Sequence, residues 1–201
     1  MRMTRHLKHF MQSCNTGVAL IEFAFVLPLL LIMLIGMIEL TNYTIINQKL
    51  DKVATSMANF VTQGTTVGVS ELNFYAEVVP QIMSPYTFSG TVVFSSVANG
   101  IPPNCPPNAI CSPPPPCSCI SWQHSILGAD PSQIGSPGGV ATLPSGYTVL
   151  SGQNIIVAEA YQHYAPLLSI SGNFVPAFTP QTLYKIAIFK PRQGSLNTLG
   201  P

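Results

Sequence analysis

Apolar residues form one continuous stretch near the N-terminus of the chain. Positions 23–38 are sixteen residues without a charge, and extension to residues 18–40 adds only Glu22 and Glu39. At about 1.5 Å per residue, a helix of this length spans roughly 30 Å, which is the thickness of the hydrocarbon core of a bilayer. The pattern therefore predicts a transmembrane helix over residues 18–41.

The charges that flank this stretch predict its orientation. Arg2, Arg5 and Lys8 precede it, whereas the two lysines that follow it are accompanied by Asp51. By the positive-inside rule, the N-terminus is cytoplasmic and the rest of the chain lies across the membrane. A secretory signal peptide is the competing interpretation, but it has a shorter apolar core and a small-residue cleavage site, which "TNYTIINQKL" does not offer.

Beyond the membrane segment, the apolar residues recur at steps of three and four, which is the pattern of one face of an amphipathic helix. They are Ile46, Leu50, Val53, Met57, Phe60 and Val61. The sequence predicts that the helix continues over residues 42–63, is kinked at Pro28 and stops at Gly64.

After Gly64 the pattern changes to short elements separated by Gly/Pro-rich loops. Ser70 as N-cap and Glu71 in the first turn predict a short helix over residues 70–82, with Pro80 near its end. Runs rich in β-branched residues predict four strands. They cover residues 90–98, 119–127, 154–164 and 182–189. The expected fold is α+β: a long N-terminal helix followed by a small antiparallel-sheet exported domain over residues 64–201.

Composition and charge argue against several classes of function. Charged residues make up 7% of the chain and the formal net charge is +1, so the basic footprint of a nucleic-acid binder is lacking. The acids of residues 64–201 are Glu71, Glu77, Asp130 and Glu159, and the histidines are His124 and His163. We expect no enzyme, no cofactor and no metal site. His163 is predicted to be a surface or half-buried residue of a strand rather than a ligand, and Trp122 is predicted to lie in the core.

Four of the five cysteines lie in a Pro-rich loop over residues 100–119. They are Cys105, Cys111, Cys117 and Cys119. In an exported loop, four cysteines suggest two disulfides with three possible connectivities. Zinc is the rival ligand, but the spacings of six, six and two differ from the usual paired zinc knuckles. Cys14, on the cytoplasmic side, is expected to be a free thiol.

The segment "GVALIEFAFVLPLLLIMLIGMIEL" resembles the N-terminal signature of the TadE/TadG-like proteins, which are minor pilins (pseudopilins) of the tight-adherence, or Flp-type, pilus system. The matching features are a basic leader, Gly17, the Glu22–Phe23 pair, a Leu-rich run with a proline, and Glu39. Near the C-terminus, "NIIVAEAYQHYAPLL" and "TLYKIAIFKPR" are similar to the last strands of that family. The resemblance covers both ends of the chain and leaves residues 64–150 unassigned.

The resemblance implies that a prepilin peptidase cleaves between Gly17 and Val18, which removes a leader of residues 1–17. Glu22 and Phe23 then lie near the new N-terminus, where the carboxylate would pair with the α-amino group of a neighbouring subunit. Glu39, nearer the exported interface, is expected to reach water. The implied partners are other pilus subunits, the peptidase and the bacterial inner membrane, with the C-terminal domain periplasmic. The alternative is an uncleaved single-pass protein with an adhesin-like binding domain.

Overall fold

One long helix, two short helices and four strands make up the part of the chain that the structure describes. This computed structural model describes residues 3–99, 118–144, 147–150, 152–166 and 179–201, with side chains from Gly17 onward. The elements are α1 (Met3–Gln63), α2 (Val69–Tyr75), α3 (Val79–Met83), β1 (Val92–Asn99), β2 (Ser118–Ile126), β3 (Asn154–Tyr164) and β4 (Gln181–Phe189). The chain divides into two compact units, Met1–Asn42 and Tyr43–Pro201. The predicted α+β fold class is confirmed.

Helix α1 is longer at its N-terminus than the sequence pattern predicts, because it begins at Met3 rather than near residue 18. Pro28 lies inside the helix and does not end it. The predicted stop is correct, since the last helical residue is Gln63. A Cβ atom on Gly64 would lie 2.8 Å from the carbonyl oxygen of Thr66, so the chain turns there through a close backbone approach that only glycine permits.

The C-terminal part of α1 supplies one side of the main core. Leu50, Val53, Met57 and Val61 are buried, and Ile46 packs against them, as the amphipathic pattern predicts. Their partners are on one face of the sheet, including Phe94 of β1. Since burial of apolar area contributes about 25 cal/mol per Å², this helix–sheet contact is a main source of stability for the second unit.

The four strands form one antiparallel sheet in the order β2-β1-β3-β4. The predicted strands agree with the observed ones to within two residues, and β3 agrees at both ends. A bulge between Ser96 and Val97 of β1 changes the register against β2. The sheet order also shows that the central strands β1 and β3 pair with each other, although they lie far apart in the sequence.

Both faces of β1 are covered, so every residue of this strand is buried. The helix covers one face. The other face packs against the segment that follows β2, through Ile134 and Val149, which form a second core with Val97, Ile120 and Val157. This second layer is not predicted by the sequence pattern, because the segment has no helix or strand periodicity.

The single helix predicted for residues 70–82 is wrong. The structure has two short helices there, and the N-cap of the first is Gly68 rather than Ser70, which lies inside α2. Pro80 does not end a helix but occupies the first turn of α3. Proline fits that position because the first-turn N–H groups have no helical partner and its fixed φ suits the helix.

Candidate functional site

The segment with the strongest functional indication is the apolar part of α1. Every large apolar side chain within residues 18–40 is exposed, from 38% at Ile35 to 78% at Phe25. A helix that is apolar around its whole circumference requires lipid or other helices as its surroundings. Among the described residues, α1 is the one helix long and apolar enough to cross a membrane, with a mean hydropathy of 2.8 over its most apolar 18 residues.

The predicted processing site, Gly17 and Val18, lies on the surface of this helix. Val18 is 56% exposed. A Cβ atom added to Gly17 would meet nothing within 4 Å, and its φ is not in the left-handed region. Neither packing nor backbone conformation therefore requires glycine at position 17, which is an unfavourable residue within a helix.

Glu22 and Phe23 occupy the next turn and are both exposed. In a helix, residues four apart lie on the same face, so Glu22 is one turn above Val18. The four predicted residues lie within two turns of α1 and all are exposed, but only Val18 and Glu22 share a face of the helix. Whether they serve processing and assembly stays a prediction.

Glu39 does not fit the sequence-based expectation. It was predicted to reach water near the exported interface, but its side chain is 1% exposed. The expectation was wrong because position along the apolar stretch does not determine burial on each side of a helix. Glu39 is therefore unsuitable as a solvent-exposed comparison for Glu22.

Of the four clustered cysteines, only Cys119 lies among the described residues. It is fully buried on β2, opposite Ala98 of β1. Cys105, Cys111 and Cys117 lie outside the described residues, as does most of the Pro-rich loop. The two predicted disulfides stay a prediction.

Thiol labelling without reductant tests that prediction. In the exported protein, denatured so that the buried Cys119 is accessible, we expect a thiol reagent to modify Cys14, if the leader is retained, and none of the other four cysteines. Reduction before labelling is the control and should expose all of them. Labelling of all five without reductant would contradict the bridges, and stoichiometric zinc would favour the metal site.

A buried polar cluster that the sequence pattern did not predict surrounds Glu159 of β3. Glu159 is fully buried. Its Oε1 accepts hydrogen bonds from the hydroxyls of Tyr184 (2.9 Å) and Tyr161 (3.1 Å) and from the backbone N–H of Gln133 (2.9 Å). Its Oε2 accepts a hydrogen bond from the hydroxyl of Ser132. In the described part of the chain, this carboxylate is held by neutral donors rather than by a cation.

The tyrosines of this cluster are kept protonated. Tyr161 and Tyr184 are cross-strand neighbours whose ring centroids are 5.1 Å apart. Burial raises the pKa of both hydroxyls well above the ordinary value, and the negative charge of Glu159 raises it further. Both hydroxyls therefore keep the proton that they donate to Glu159. The cluster attaches the segment after β2 to the sheet.

A sequence signal for this cluster exists in the pattern of β3. The run "NIIVAEAYQHY" is apolar on both faces, which is typical of a strand covered on both sides. A single carboxylate in such a strand is expected to be buried and hydrogen-bonded. The donors from residues 132–133 could not be identified from the pattern.

The two histidines of the second unit lie in different surroundings. His163 is 50% exposed and its Nε2 lies 3.3 Å from Oδ2 of Asp130, in keeping with the predicted surface position. The ring of His124 approaches Asn73 Oδ1 at 3.1 Å, and burial lowers its pKa. Trp122 is in the core as predicted, with its Nε1 donating to the carbonyl of Leu196 at 2.8 Å. No group of three His, Cys, Asp or Glu side chains suited to a metal occurs among the described residues.

Comparison with known proteins agrees with the geometry of α1. Residues 17–58 match the family model of the TadE-like proteins. This match begins at Gly17, contains the whole exposed apolar segment and ends before the sheet. No curated protein and no solved structure matches the chain. The resemblance inferred from the N-terminal segment is confirmed, since residues 17–58 are similar to the TadE-like proteins.

Proposed function

We propose that this chain is a minor pilin-like membrane protein that takes part in the assembly of a Tad/Flp-type surface pilus. The observation that carries the proposal is the TadE-like match over residues 17–58, which coincides with the exposed apolar helix. The role is structural and needs no catalytic group. Its partners are other pilus subunits and pseudopilins, which contact the N-terminal helix within the inner membrane.

The exposed carboxylate of Glu22 supports assembly over simple anchoring. A charged side chain in the middle of a bilayer costs about 2.5–3.5 kcal/mol on insertion scales, and less toward the interface. A membrane anchor gains nothing from this residue. In an assembly, the carboxylate can pair with the α-amino group of a neighbouring subunit, and loss of one partner would leave the other charge unpaired.

The environment of Gly17 supports processing by a prepilin peptidase. Nothing packs against Gly17, so its presence within a helix has no structural explanation among the described residues. A peptidase that selects the smallest side chain before the cleaved bond supplies one. Cleavage there would also create the new α-amino group at Val18, one helical turn from Glu22.

The N-terminus of the protein from cells that contain the peptidase tests the proposal. We expect sequencing of the membrane-extracted protein to give Val-Ala-Leu-Ile-Glu, beginning at Val18. Gly17→Leu should stay uncleaved while it inserts normally, because leucine is a good helix former and a Cβ at this position is unobstructed.

A protein that retains residues 1–17 in those cells would contradict processing. If that protein also failed to crosslink to other pilus subunits, the single-pass protein with an adhesin-like domain would replace the proposed role. Whether or not the leader is cleaved, the C-terminal domain is expected on the periplasmic side of the membrane. Digestion of this domain by protease added to spheroplasts therefore tests the topology in both cases.

A further inference from the structure

The two outermost strands of the sheet, β2 and β4, differ in how their outer edges are covered. The segment that follows β2 returns and pairs with the outer edge of β2. The N–H of Ile120 donates to the carbonyl oxygen of Gly139 at 3.0 Å, and the carbonyl oxygen of Ile120 accepts from the N–H of Gly138 at 2.8 Å. The carbonyl oxygen of Ser118 accepts from the N–H of Ala141 at 2.8 Å. The chain itself therefore closes this edge of the sheet.

The strand register identifies the backbone groups that β4 directs away from the sheet. On β3, the N–H groups of Tyr161 and His163 donate toward β1, to the carbonyl oxygens of Thr91 and Ser89. Because hydrogen-bonded and non-hydrogen-bonded pairs alternate, the intervening, even-numbered residues of β3 bond to β4. Their partners are the odd-numbered residues of β4. The even-numbered residues of β4 therefore direct their N–H and C=O groups outward, namely Thr182, Tyr184, Ile186 and Ile188.

The outer edge of β4 has no strand paired with it in the described part of the chain. The backbone groups of Tyr184, Ile186 and Ile188 make no hydrogen bond to another described residue on that side. A row of unpaired N–H and C=O groups is a template for one more strand. β4 has nine residues, so the edge is long enough for a full strand to pair with it.

The side chains along this edge differ between the two faces of the sheet. Ile186 and Ile188 lie on the face of the second core and are only half-buried there. Lys185 lies on the opposite face, between the buried Leu183 and Ala187. Successive side chains of an added strand would point alternately to these two faces. Apolar side chains on one face would cover the two isoleucines, and the intervening side chains would lie beside Lys185.

The charge beside the edge is positive. Within the part of the chain that the structure describes, the ammonium group of Lys185 has no carboxylate partner. Lys190, directly after β4, is exposed. A second copy of the chain paired along this edge would bring two more lysines to the same seam, whereas a carboxylate on the added strand would offset the charge. Charge complementarity therefore favours an acidic partner strand over a second copy.

We propose that the outer edge of β4 binds an extended acidic segment of a partner protein as an additional strand of the sheet. The backbone of this segment pairs with the outward groups of β4. Its apolar side chains cover Ile186 and Ile188, and a carboxylate on its other face lies beside Lys185. The fitting sequence therefore alternates apolar and acidic residues. This inference concerns the second unit alone and does not depend on leader cleavage or on Glu22.

Amide hydrogen exchange of the full chain in detergent micelles, followed by NMR, tests the inference. The probe is a capped peptide of four Val-Glu repeats, which as a strand carries its charges on one face and its methyl groups on the other. Saturating peptide should slow exchange of the Ile186 and Ile188 amides by at least about tenfold. The amide of Ala187, which already faces β3, should not change. Unchanged exchange at both isoleucines would overturn the edge pairing.

Two control peptides separate the contribution of charge from that of the backbone. A Val-Gln peptide keeps the alternation, and should bind at least about fivefold more weakly because it cannot form ion pairs with Lys185 or Lys190. A Val-Glu peptide methylated at its valine nitrogens keeps every charge but loses the N–H groups that would face β4. It should bind at least about tenfold more weakly. Affinity equal to that of the probe, for either control, would overturn the proposal.

Variants of the chain make the corresponding tests from the other side of the interface. Lys185→Gln should weaken binding of the probe about threefold, whereas Lys52→Gln, at an exposed position of α1, should leave it unchanged. Ile186→Pro removes an N–H that β3 does not use, so the edge tolerates proline, and should weaken binding at least about tenfold. Parental affinity in Lys185→Gln or in Ile186→Pro would overturn the proposal.

Sedimentation of the parent chain in micelles tests the alternative occupant. We expect no change of oligomeric state with concentration that depends on β4. Dimers of the parent that Ile186→Pro abolishes would assign the edge to a second copy and overturn the acidic partner. Because the methylated peptide tests backbone pairing on the unaltered chain, the proposal can be overturned whatever the stability of Ile186→Pro.

Discussion

Replacing Glu22 with alanine should leave membrane insertion intact and reduce co-assembly with other pilus subunits by about tenfold or more. The variant removes a charge from an apolar helix, so insertion becomes more favourable. In the assembly, the α-amino group of the neighbouring subunit loses its partner, and an unpaired charge in a membrane interior is strongly unfavourable. Site-specific crosslinking within α1, followed by co-purification of the partner subunits, measures the effect.

Two comparisons make this experiment specific. Glu77→Ala also removes one carboxylate, but from an exposed position in the second unit, and should assemble normally. Glu22→Gln keeps the size and loses the charge, and should behave like the alanine variant if the charge is what matters. N-terminal sequencing must accompany both, because Glu22 can also contribute to peptidase recognition. A Glu22→Ala protein that is cleaved and assembles like the parent would contradict the pairing.

Replacing Glu159 with alanine should destabilise the second unit by about 3–5 kcal/mol. The substitution leaves two tyrosine hydroxyls and one serine hydroxyl without their acceptor, and each unsatisfied buried group costs about 1–3 kcal/mol. It also creates a cavity beneath the segment after β2. Denaturant unfolding of the full chain in micelles, followed by the fluorescence of its one tryptophan, Trp122, measures this change.

The chain contains a matched control for this variant. Glu71 accepts a hydrogen bond from the hydroxyl of Tyr75 at 2.7 Å, but at an exposed position. Because water can replace that contact, Glu71→Ala should change the free energy of unfolding by less than about 1 kcal/mol. Tyr184→Phe removes one donor while Glu159 keeps three, so a loss of about 1–2 kcal/mol is expected. Equal effects of Glu159→Ala and Glu71→Ala would show that the buried cluster contributes no special stability.

Local patterns predicted most of the fold, because helices and strands in this chain have strong periodicity. The spacing of apolar residues in α1 and the β-branched runs of the strands are local patterns, which can be recognised within a few consecutive residues. The split between α2 and α3 was missed because proline can both follow one helix and begin another. Gly68 was missed as an N-cap because Ser70 has the better capping side chain.

The three glutamates discussed above also differ in how far the sequence reveals their surroundings. Glu22 stands out in the sequence because it interrupts an apolar run, and its exposure follows directly from that. The burial of Glu159 depends on residues 132–133 folding over the sheet, and such a contact leaves no mark in the pattern of β3 itself. Glu39 was wrongly predicted to reach water for a related reason. An apolar stretch indicates where a helix runs, but the residues that pack against the helix determine which of its sides is covered.

The sheet order also determines when the second unit can fold. β1 pairs with β3, whose residues follow it by about sixty positions, and the core includes Leu196 near the end of the chain. Pairing between distant segments is slow, because the intervening chain must first be closed into a loop. Until β4 and Leu196 have been made, the apolar stripe of α1 over residues 46–61 has no complete sheet to cover it. A newly made chain therefore passes through a period in which this stripe is open to wrong partners, and that period ends only when β4 is in place.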